Sequence, residues 1–354
     1  MKKKYVVIGA GNGGQSLAGD LVLRGTNVTA IYDKNPGQVT PISDNGGIRM
    51  SGPVVEGFAP VFATDDLKTA VDSGNVFLVT ITANYHRALA KEMAPFIRPE
   101  HTVLLIPGYI GSSISFANEL RAAGISELPL IGEALSLPYA TRLISPAHAG
   151  IKSRKYAVPI AAYPSSRNQE LYDIVNPAVP ETKLYANTLE IGFNNPNPMT
   201  HTVYYLFNLG RVESPESQTS NFHAWGTPIV DRIRDTVDEE RVALVKAMGL
   251  NVLTYQGFRQ LSYAGHKYVP LKQENATLPA SSSQTPVRFI DEDVPMGLVA
   301  YQSFGKLLGV PTPTIDVIIS MANLVRQKDF VQEGTTVATL GLGGLTAEEI
   351  LARV

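Results

Sequence analysis

An α/β fold that gives way to helices alone is what this sequence predicts, and three observations predict it. Short apolar strands alternate with helical stretches over roughly the first half. A glycine-rich turn joins the first strand to the first helix. Beyond Asn187 the apolar residues recur at helical spacing, with no further strand pattern. Strands separated by helices argue for βαβ units and a parallel sheet.

The strands expected in order are Tyr5–Ile8, Val28–Tyr32, Val76–Ile81, Val103–Ile106 and Leu128–Gly132. Helices around Gln15–Arg24, Leu67–Ser73, Tyr85–Phe96 and Ser113–Ala123 separate them, and Lys155–Tyr163 and Lys183–Tyr185 extend the same sheet. The second half reads as helices over Met199–Leu209, Thr227–Met248, Gly297–Leu308 and Pro313–Val325. Thr312-Pro313 and Asn197-Pro198 each place a capping side chain before a proline suited to the first helical position. The spacing therefore predicts a nucleotide domain over residues 1–187 and a helical domain over 188–354. Ala280–Thr285 is a short polar loop, and no internal repeat interrupts the pattern.

The turn Gly9-Ala10-Gly11-Asn12-Gly13-Gly14 has the G-x-G-x-x-G spacing, and Asp33 closes the second strand nineteen residues later. Gly9 allows the tight turn, Gly11 lets the backbone approach a pyrophosphate, and Gly14 lets helix and strand pack closely. The helix N-terminus attracts phosphate charge, and Asp33 would accept hydrogen bonds from the adenosine ribose hydroxyls. The alternative is that the glycines only serve a tight strand-to-helix turn. With strands, helix and acid all in order, the pattern is that of a dinucleotide site, so the first domain is expected to be a Rossmann domain. A carboxylate at Asp33 repels a 2′-phosphate and favours NAD over NADP, although Lys34 beside it offsets that repulsion.

Ligands in such folds lie at the carboxyl ends of the strands. Three segments there should overhang the nicotinamide: Thr82–His86, Pro107–Gly111 with Tyr109, and Gly132–Ser136 with Glu133. Ordinary connecting loops are the plainer alternative for each.

Composition bounds the function classes. A net charge of −2 provides no basic field for nucleic acid or an anionic membrane. No apolar run reaches the ~18 residues that cross a bilayer. Met1–Tyr5 leads directly into the first strand without a signal-peptide pattern, so a cytoplasmic location is expected. The absence of cysteine excludes disulfides, thiolate metal sites and cysteine nucleophiles. No His, Asp and Glu combination has ligand spacing, and no metal is expected. A homo-oligomer is possible.

Of six histidines, His201 has the setting of a proton-transfer group. It follows Asn194-Asn195-Pro196-Asn197-Pro198-Met199-Thr200, a helix start just past the domain boundary, where the first turn can face the cleft. Asp291-Glu292-Asp293 precedes another helix some ninety residues on, with Arg288 upstream. Each has a plainer reading: a surface or core histidine, a helix-capping acid, a surface ion pair. His86 could meet the cofactor ribose or phosphate or simply begin its helix. His223 and Trp225 could line the cleft or pack as an aromatic loop. His101, His148 and His266 read as structural or exposed, and Lys246 as a solvated position on a charged helix face.

At these residues the sequence resembles the opine dehydrogenases. The resemblance spans nearly the whole chain, from Gly9–Gly14 through Asn194–His201 and Arg211-Val212-Glu213-Ser214. It continues at Asp238-Glu239-Glu240-Arg241, Glu292–Val299 and Gly309–Asp316. It implies substrate bound between a Rossmann domain and a helical domain. The implied reaction is reductive condensation of a 2-oxo acid with the amino group of an amino acid, using NADH or NADPH. By position, His201 matches the family's catalytic histidine, Asp293 its charge partner, and Arg288 an arginine that holds the amino-acid carboxylate. Tyr109 departs from a relative's polar amide after Pro-Gly, which bears on the oxo-acid pocket. Two other readings remain: a dehydrogenase of simple 2-oxo or 2-hydroxy acids with ketopantoate-reductase-like architecture, and a cofactor-binding sensor or scaffold.

Overall fold

A computed structural model describes residues 2–214, 226–263 and 287–354. His223, Trp225, His266 and the polar loop 280–285 lie outside the described residues. The first half builds β1 (Tyr5–Ile8), α1 (Asn12–Leu23), β2 (Val28–Tyr32), α2 (Pro36–Asn45), β3 (Gly47–Ser51), β4 (Gly57–Pro60) and β5 (Ala63–Thr64). It continues with α3 (Leu67–Ser73), β6 (Val76–Val79), α4 (His86–Met93), β7 (Thr102–Leu105), α5 (Ser112–Ala122) and β8 (Leu130–Ala134). Strands β9 (Tyr139–Ser145), β10 (His148–Arg154) and β11 (Val158–Tyr163), then α6 (Asn168–Val175) and β12 (Thr182–Leu184), complete it.

The main sheet has the order β12-β11-β8-β7-β6-β1-β2-β5. From β8 to β5 every pairing is parallel, and the chain visits these six strands in the doubly wound order of dinucleotide-binding folds. β1, β6, β7 and β8 are buried along their full length, as strands covered by helices on both faces must be. Alternate residues serve opposite cores. Val6 and Ile8 join Phe77, Val79 and Leu105 on one side, while Val7 joins Leu78, Leu104 and Leu17 on the other. β11 extends the sheet as expected but runs antiparallel to β8, and β12 runs parallel to β11.

A second, four-stranded sheet, β4-β3-β10-β9, is absent from the sequence-based expectations. It packs on α1, where a Cβ at Gly19 would come 2.2 Å from Met50 Sδ. The buried carboxylate of Asp20 fastens the two together. It pairs with Arg24 of its own helix and Arg154 of β10 at 2.8 and 2.6 Å, and accepts from the Tyr139 hydroxyl at 2.5 Å.

The described residues after Leu184 contain helices and no strand. These are α7 (Thr188–Phe193), α8 (Asn197–Leu206), α9 (Leu209–Glu213), α10 (Pro228–Ala247), α11 (Tyr255–Tyr263) and α12 (Arg288–Asp291). A π-helical turn over Val294–Leu298 leads into α13 (Val299–Leu308). Then follow α14 (Pro313–Arg326), α15 (Phe330–Glu333) and α16 (Ala347–Leu351). Both expected caps are corrected. Thr312 makes no capping bond to α14; instead Glu240 of α10 accepts from the Thr314 and Ile315 N–H groups at 2.7 and 3.0 Å. A carboxylate from a neighbouring helix meets the helix-end dipole more strongly than a hydroxyl. At α8 it is Asn195, not Asn197, whose amide oxygen takes a first-turn N–H, that of Asn197, at 3.0 Å. Lys246 is exposed as expected, and His101 is buried against the edge of Phe77. No helix among the described residues is long and apolar enough to cross a membrane.

Candidate active site

The glycine turn shows what each position demands. Gly9 has a φ of 104°, and a Cβ at Gly14 would lie 1.7 Å from the Gly9 carbonyl oxygen, so the first turn of α1 rests directly on the strand end. A Cβ at Gly13 would strike Leu137, 2.7 Å from Cδ1, whereas one at Gly11 would meet nothing within 4 Å. Gly11 is also the N-cap of α1, and no side chain caps the helix there. The N-terminus of α1 is thus left without a side-chain cap beside an open Gly11, which fits the pyrophosphate of a dinucleotide. Asp33 accepts from Ala10 N at 2.7 Å and Asn35 N at 2.9 Å, which fixes its carboxylate beside the turn. Thr80, which the sequence reading does not single out, donates to the carbonyls of Ile8 and Gly9 and braces the turn from β6. Lys34 is held by Glu92 of α4 at 2.6 Å. The Asn12 side-chain amide donates to the Thr141 carbonyl at 3.2 Å.

Across the cleft, Asp293 is fully buried and both of its oxygens are engaged. Oδ2 lies 2.9 Å from Nδ1 of His201, and Oδ1 accepts from the Tyr109 hydroxyl at 2.7 Å. His201 comes from α8, Asp293 from the turn after α12, and Tyr109 from the loop after β7. One carboxylate therefore joins three segments from both halves of the molecule. Phe289 stacks on the imidazole at 4.0 Å between ring centres, and the His201 side chain keeps 14% exposure. A carboxylate acceptor places the imidazole proton on Nδ1, so in the neutral ring Nε2 carries the lone pair.

The three consecutive acids diverge because helical residues project about 100° apart. Asp291 turns outward to Arg326, whose guanidinium approaches both carboxylate oxygens at 2.9 Å. Glu292 turns inward and its Oε1 accepts from Ala83 N at 2.8 Å, on the loop after β6 that carries Thr82. Burial, reinforced by the charge of Asp293, pushes the Glu292 carboxyl well above the usual carboxylate range, with Arg288 opposing. Arg288 lies 3.3 Å from Glu292 Oε2, over the face of Phe289, and its side chain is 47% exposed.

Asn194 and Asn195 act as positioning residues. Asn195 donates to the Gly108 carbonyl at 3.0 Å and so clamps the Pro-Gly-Tyr loop to the start of α8. Asn194 bonds the carbonyls of Glu190 and Asn251 and accepts from Leu253 N. Arg241, wholly buried, ties Asp238, the Phe193 and Leu253 carbonyls and Asn194 into one unit. These explain the Asn-rich segment better than a direct part in chemistry.

Two residues expected at the cofactor are enclosed by the protein. Glu133 is wholly buried, and its Oε1 accepts from Ser113 N at 2.7 Å at the start of α5, because that helix end offers N–H groups close by. A Cβ at Gly108 would fall 2.2 Å from its other oxygen, and burial pushes this carboxyl up to about 8. His86 is buried at the start of α4, where desolvation lowers its pKa to about 4 and keeps the ring neutral. It borders a cavity shared with Arg87, Lys91 and Ser115.

Comparison with known proteins bears on this arrangement. Residues 184–326 match the family described as NAD/NADP octopine/nopaline dehydrogenase, alpha-helical domain. Residues 4–106 match the family described as NADP oxidoreductase coenzyme F420-dependent. An opine dehydrogenase of Arthrobacter sp. (strain 1C) is 31% identical, with 99% of each chain covered. The protein ocs of Agrobacterium tumefaciens (strain Ach5) is 26% identical over 98% of each. The solved structure of octopine dehydrogenase in complex with NADH and agmatine superimposes with a TM-score of 0.73 at 16% identity, covering 99% of this chain and 98% of that one. Full-length identity above 30% and the matched helical domain carry the conclusion that this chain belongs to the opine dehydrogenases, NAD(P)-dependent oxidoreductases acting on CH–NH bonds by reductive condensation of a 2-oxo acid with an amine.

Proposed function

We propose that His201 and Asp293 form the catalytic unit of this opine dehydrogenase, with Arg288 and Tyr109 shaping its substrate pocket. The observation that carries this reading is the Asp293 carboxylate shared between His201 Nδ1 and the Tyr109 hydroxyl. Attack of the amine nitrogen on the oxo carbon gives a carbinolamine, whose hydroxyl must leave as water. His201 Nε2 donates that proton, and Asp293 stabilises the imidazolium before transfer and holds the ring in the needed tautomer. The resulting protonated imine carbon is electrophilic, and the reduced nicotinamide supplies hydride to it. Arg288 binds a carboxylate through its planar fork. Tyr109, its hydroxyl engaged by Asp293, forms a wall of the oxo-acid pocket rather than a hydrogen-bond donor to substrate.

Gly9, Gly11, Asn12, Gly13, Gly14, Asp33 and Thr82 line the dinucleotide side, with residues 1–187 as the nucleotide domain and 188–354 as the helical one. NAD is the favoured cofactor, with NADP accommodated less well, and the substrates are a 2-oxo acid and an amino acid in the cytoplasm. The test is a substrate-pair screen that follows NADH oxidation. Turnover that requires both an oxo acid and an amine supports the reading, whereas oxidation with an oxo acid alone replaces it with a simple 2-oxo acid reductase.

A further inference from the structure

Lys155 lies between β10 and β11 and is 7% exposed, yet among the described residues no carboxylate or hydrogen-bond acceptor meets its ammonium group. Among the described residues its Nζ faces two rings of α11, Phe258 at 5.4 Å and Tyr263 at 5.9 Å. An unpaired buried cation is costly, and burial alone pulls its pKa down to about 7. Such a group is retained where something else answers it.

Its position suggests what. β11 runs antiparallel to β8, so the residues just before β11 stand at the carboxyl edge of the parallel strands, the edge where such sheets bind ligands. Lys155 N donates to the Pro138 carbonyl at 2.8 Å, and the neighbouring Leu137 is the residue a Cβ at Gly13 would strike. Lys155 is thereby tied to the segment that overlies the dinucleotide turn. On its other side, Phe258 packs with Leu135 and with Ile191 of α7, the helix that leads into Asn194 and Asn195. Three hydroxyls on the segments joined to Lys155 are buried without a hydrogen-bond partner among the described residues: Ser136, two residues before Pro138; Ser153, two before Lys155; and Ser262, whose carbonyl accepts from Tyr156 N. A cation and three donor hydroxyls, all unanswered among the described residues, match the chemistry of one carboxylate.

We propose that Lys155, supported by Ser136, Ser153 and Ser262, is a second carboxylate subsite of the substrate cleft, complementary to Arg288. An opine product carries a carboxylate from each of its two precursors, so the cleft must accommodate two. The proposal rests on the reading of the cleft as the site of opine formation, and its test separates the two. Binding of pyruvate, L-arginine and agmatine to the NADH-loaded protein is measured by calorimetry, alongside turnover of pyruvate with L-arginine. Lys155→Met, close in shape and without charge, should weaken either pyruvate or L-arginine roughly ten- to a hundredfold, the range for a lost charge-assisted hydrogen bond. NADH affinity should stay within about twofold, and the melting temperature should not fall. If pyruvate is weakened, the subsite holds the oxo acid. If L-arginine is weakened and agmatine, which lacks the carboxylate, is not, it holds the amino acid. Ser136→Ala should weaken the same ligand several-fold and guards against a folding defect in the lysine variant. Unchanged affinity for both carboxylates in Lys155→Met, or a wild-type protein that binds neither, overturns the proposal. Binding without turnover of any pair would leave the subsite standing and count against the reading of the reaction instead.

Discussion

Replacing Asp293 with Asn changes the charge at the centre of the site while keeping its shape. In the structure Asp293 accepts from Tyr109 through one oxygen and from His201 through the other. An Asn can still accept from Tyr109, but its amide nitrogen then faces His201 Nδ1 and donates to it. The ring is forced into the opposite tautomer, with its proton on Nε2, and an imidazolium there loses its counter-charge. Charge centres about 4 Å apart in surroundings of effective dielectric ~20 interact by ~4 kcal/mol, which is the stabilisation of the protonated ring at stake. At about 1.4 kcal/mol per tenfold, kcat should fall roughly 10³-fold, somewhat less than the ~10⁴-fold that a carboxylate-to-amide change costs beside a catalytic-triad histidine. The assay is steady-state NADH oxidation with the best substrate pair, together with direct NADH binding and a thermal melt. NADH affinity should barely move, because the glycine turn and Asp33 lie on the other side of the cleft. The double variant with His201→Ala should be little worse than His201→Ala alone, since members of one catalytic unit are strongly non-additive. A kcat within about threefold of wild type would refute the role of Asp293 and leave His201 without its partner.

NADH should be preferred over NADPH in kcat/KM, because Asp33 repels a 2′-phosphate and Lys34 is held away by Glu92. Glu92→Gln frees Lys34 and should narrow that preference a few-fold; a preference for NADPH in the wild-type protein would contradict the account. Glu292 has a raised pKa in the folded protein and an ordinary one when unfolded, caused first by burial and then by the charge of Asp293. The unfolded chain therefore loses this proton first, so Glu292 costs stability as pH rises through and above the ordinary carboxylate range. Glu292→Gln, which keeps an acceptor for Ala83 N, should flatten the decline in melting temperature over that interval; an unaltered slope would show that Glu292 is not its source.

Much of the dinucleotide half was legible because its elements are specified locally. β1 and β2 have the bounds that their apolar runs imply, and α3 spans Leu67–Ser73 as expected. The second sheet was not legible, for the same reason in reverse. β3, β4, β9 and β10 are half-polar, and their burial comes from α1, far away in sequence, through Gly19 against Met50 and Asp20 against Arg154. Side-chain caps failed in a similar way: Thr312 offers a good local cap, but Glu240 from another helix outcompetes it. His201 and Asp293 were suggested by position in a resemblance, whereas Tyr109 as the third member depends on three segments meeting in space. Glu133 shows the limit of strand-end reasoning. It sits where cofactor contacts arise, but its side chain faces α5, and no local pattern tells one face of a strand end from the other.

The adjacent acids 292 and 293 link these levels. Glu292 grips the loop after β6 through Ala83, and Asp293 grips the loop after β7 through Tyr109, while both stem from the start of the π-helical turn in the helical half. A π-turn widens the helix by one residue per turn, and such turns recur at functional sites because they redirect neighbouring side chains. The two loops that should overhang the nicotinamide are thus both held by consecutive residues of the element that also orients His201. The proposed proton donor and both loops are thus positioned by one short segment rather than by the sum of many weak contacts. In the proposed mechanism a single carboxylate, and not the extent of the interdomain surface, is therefore the feature on which the chemistry turns.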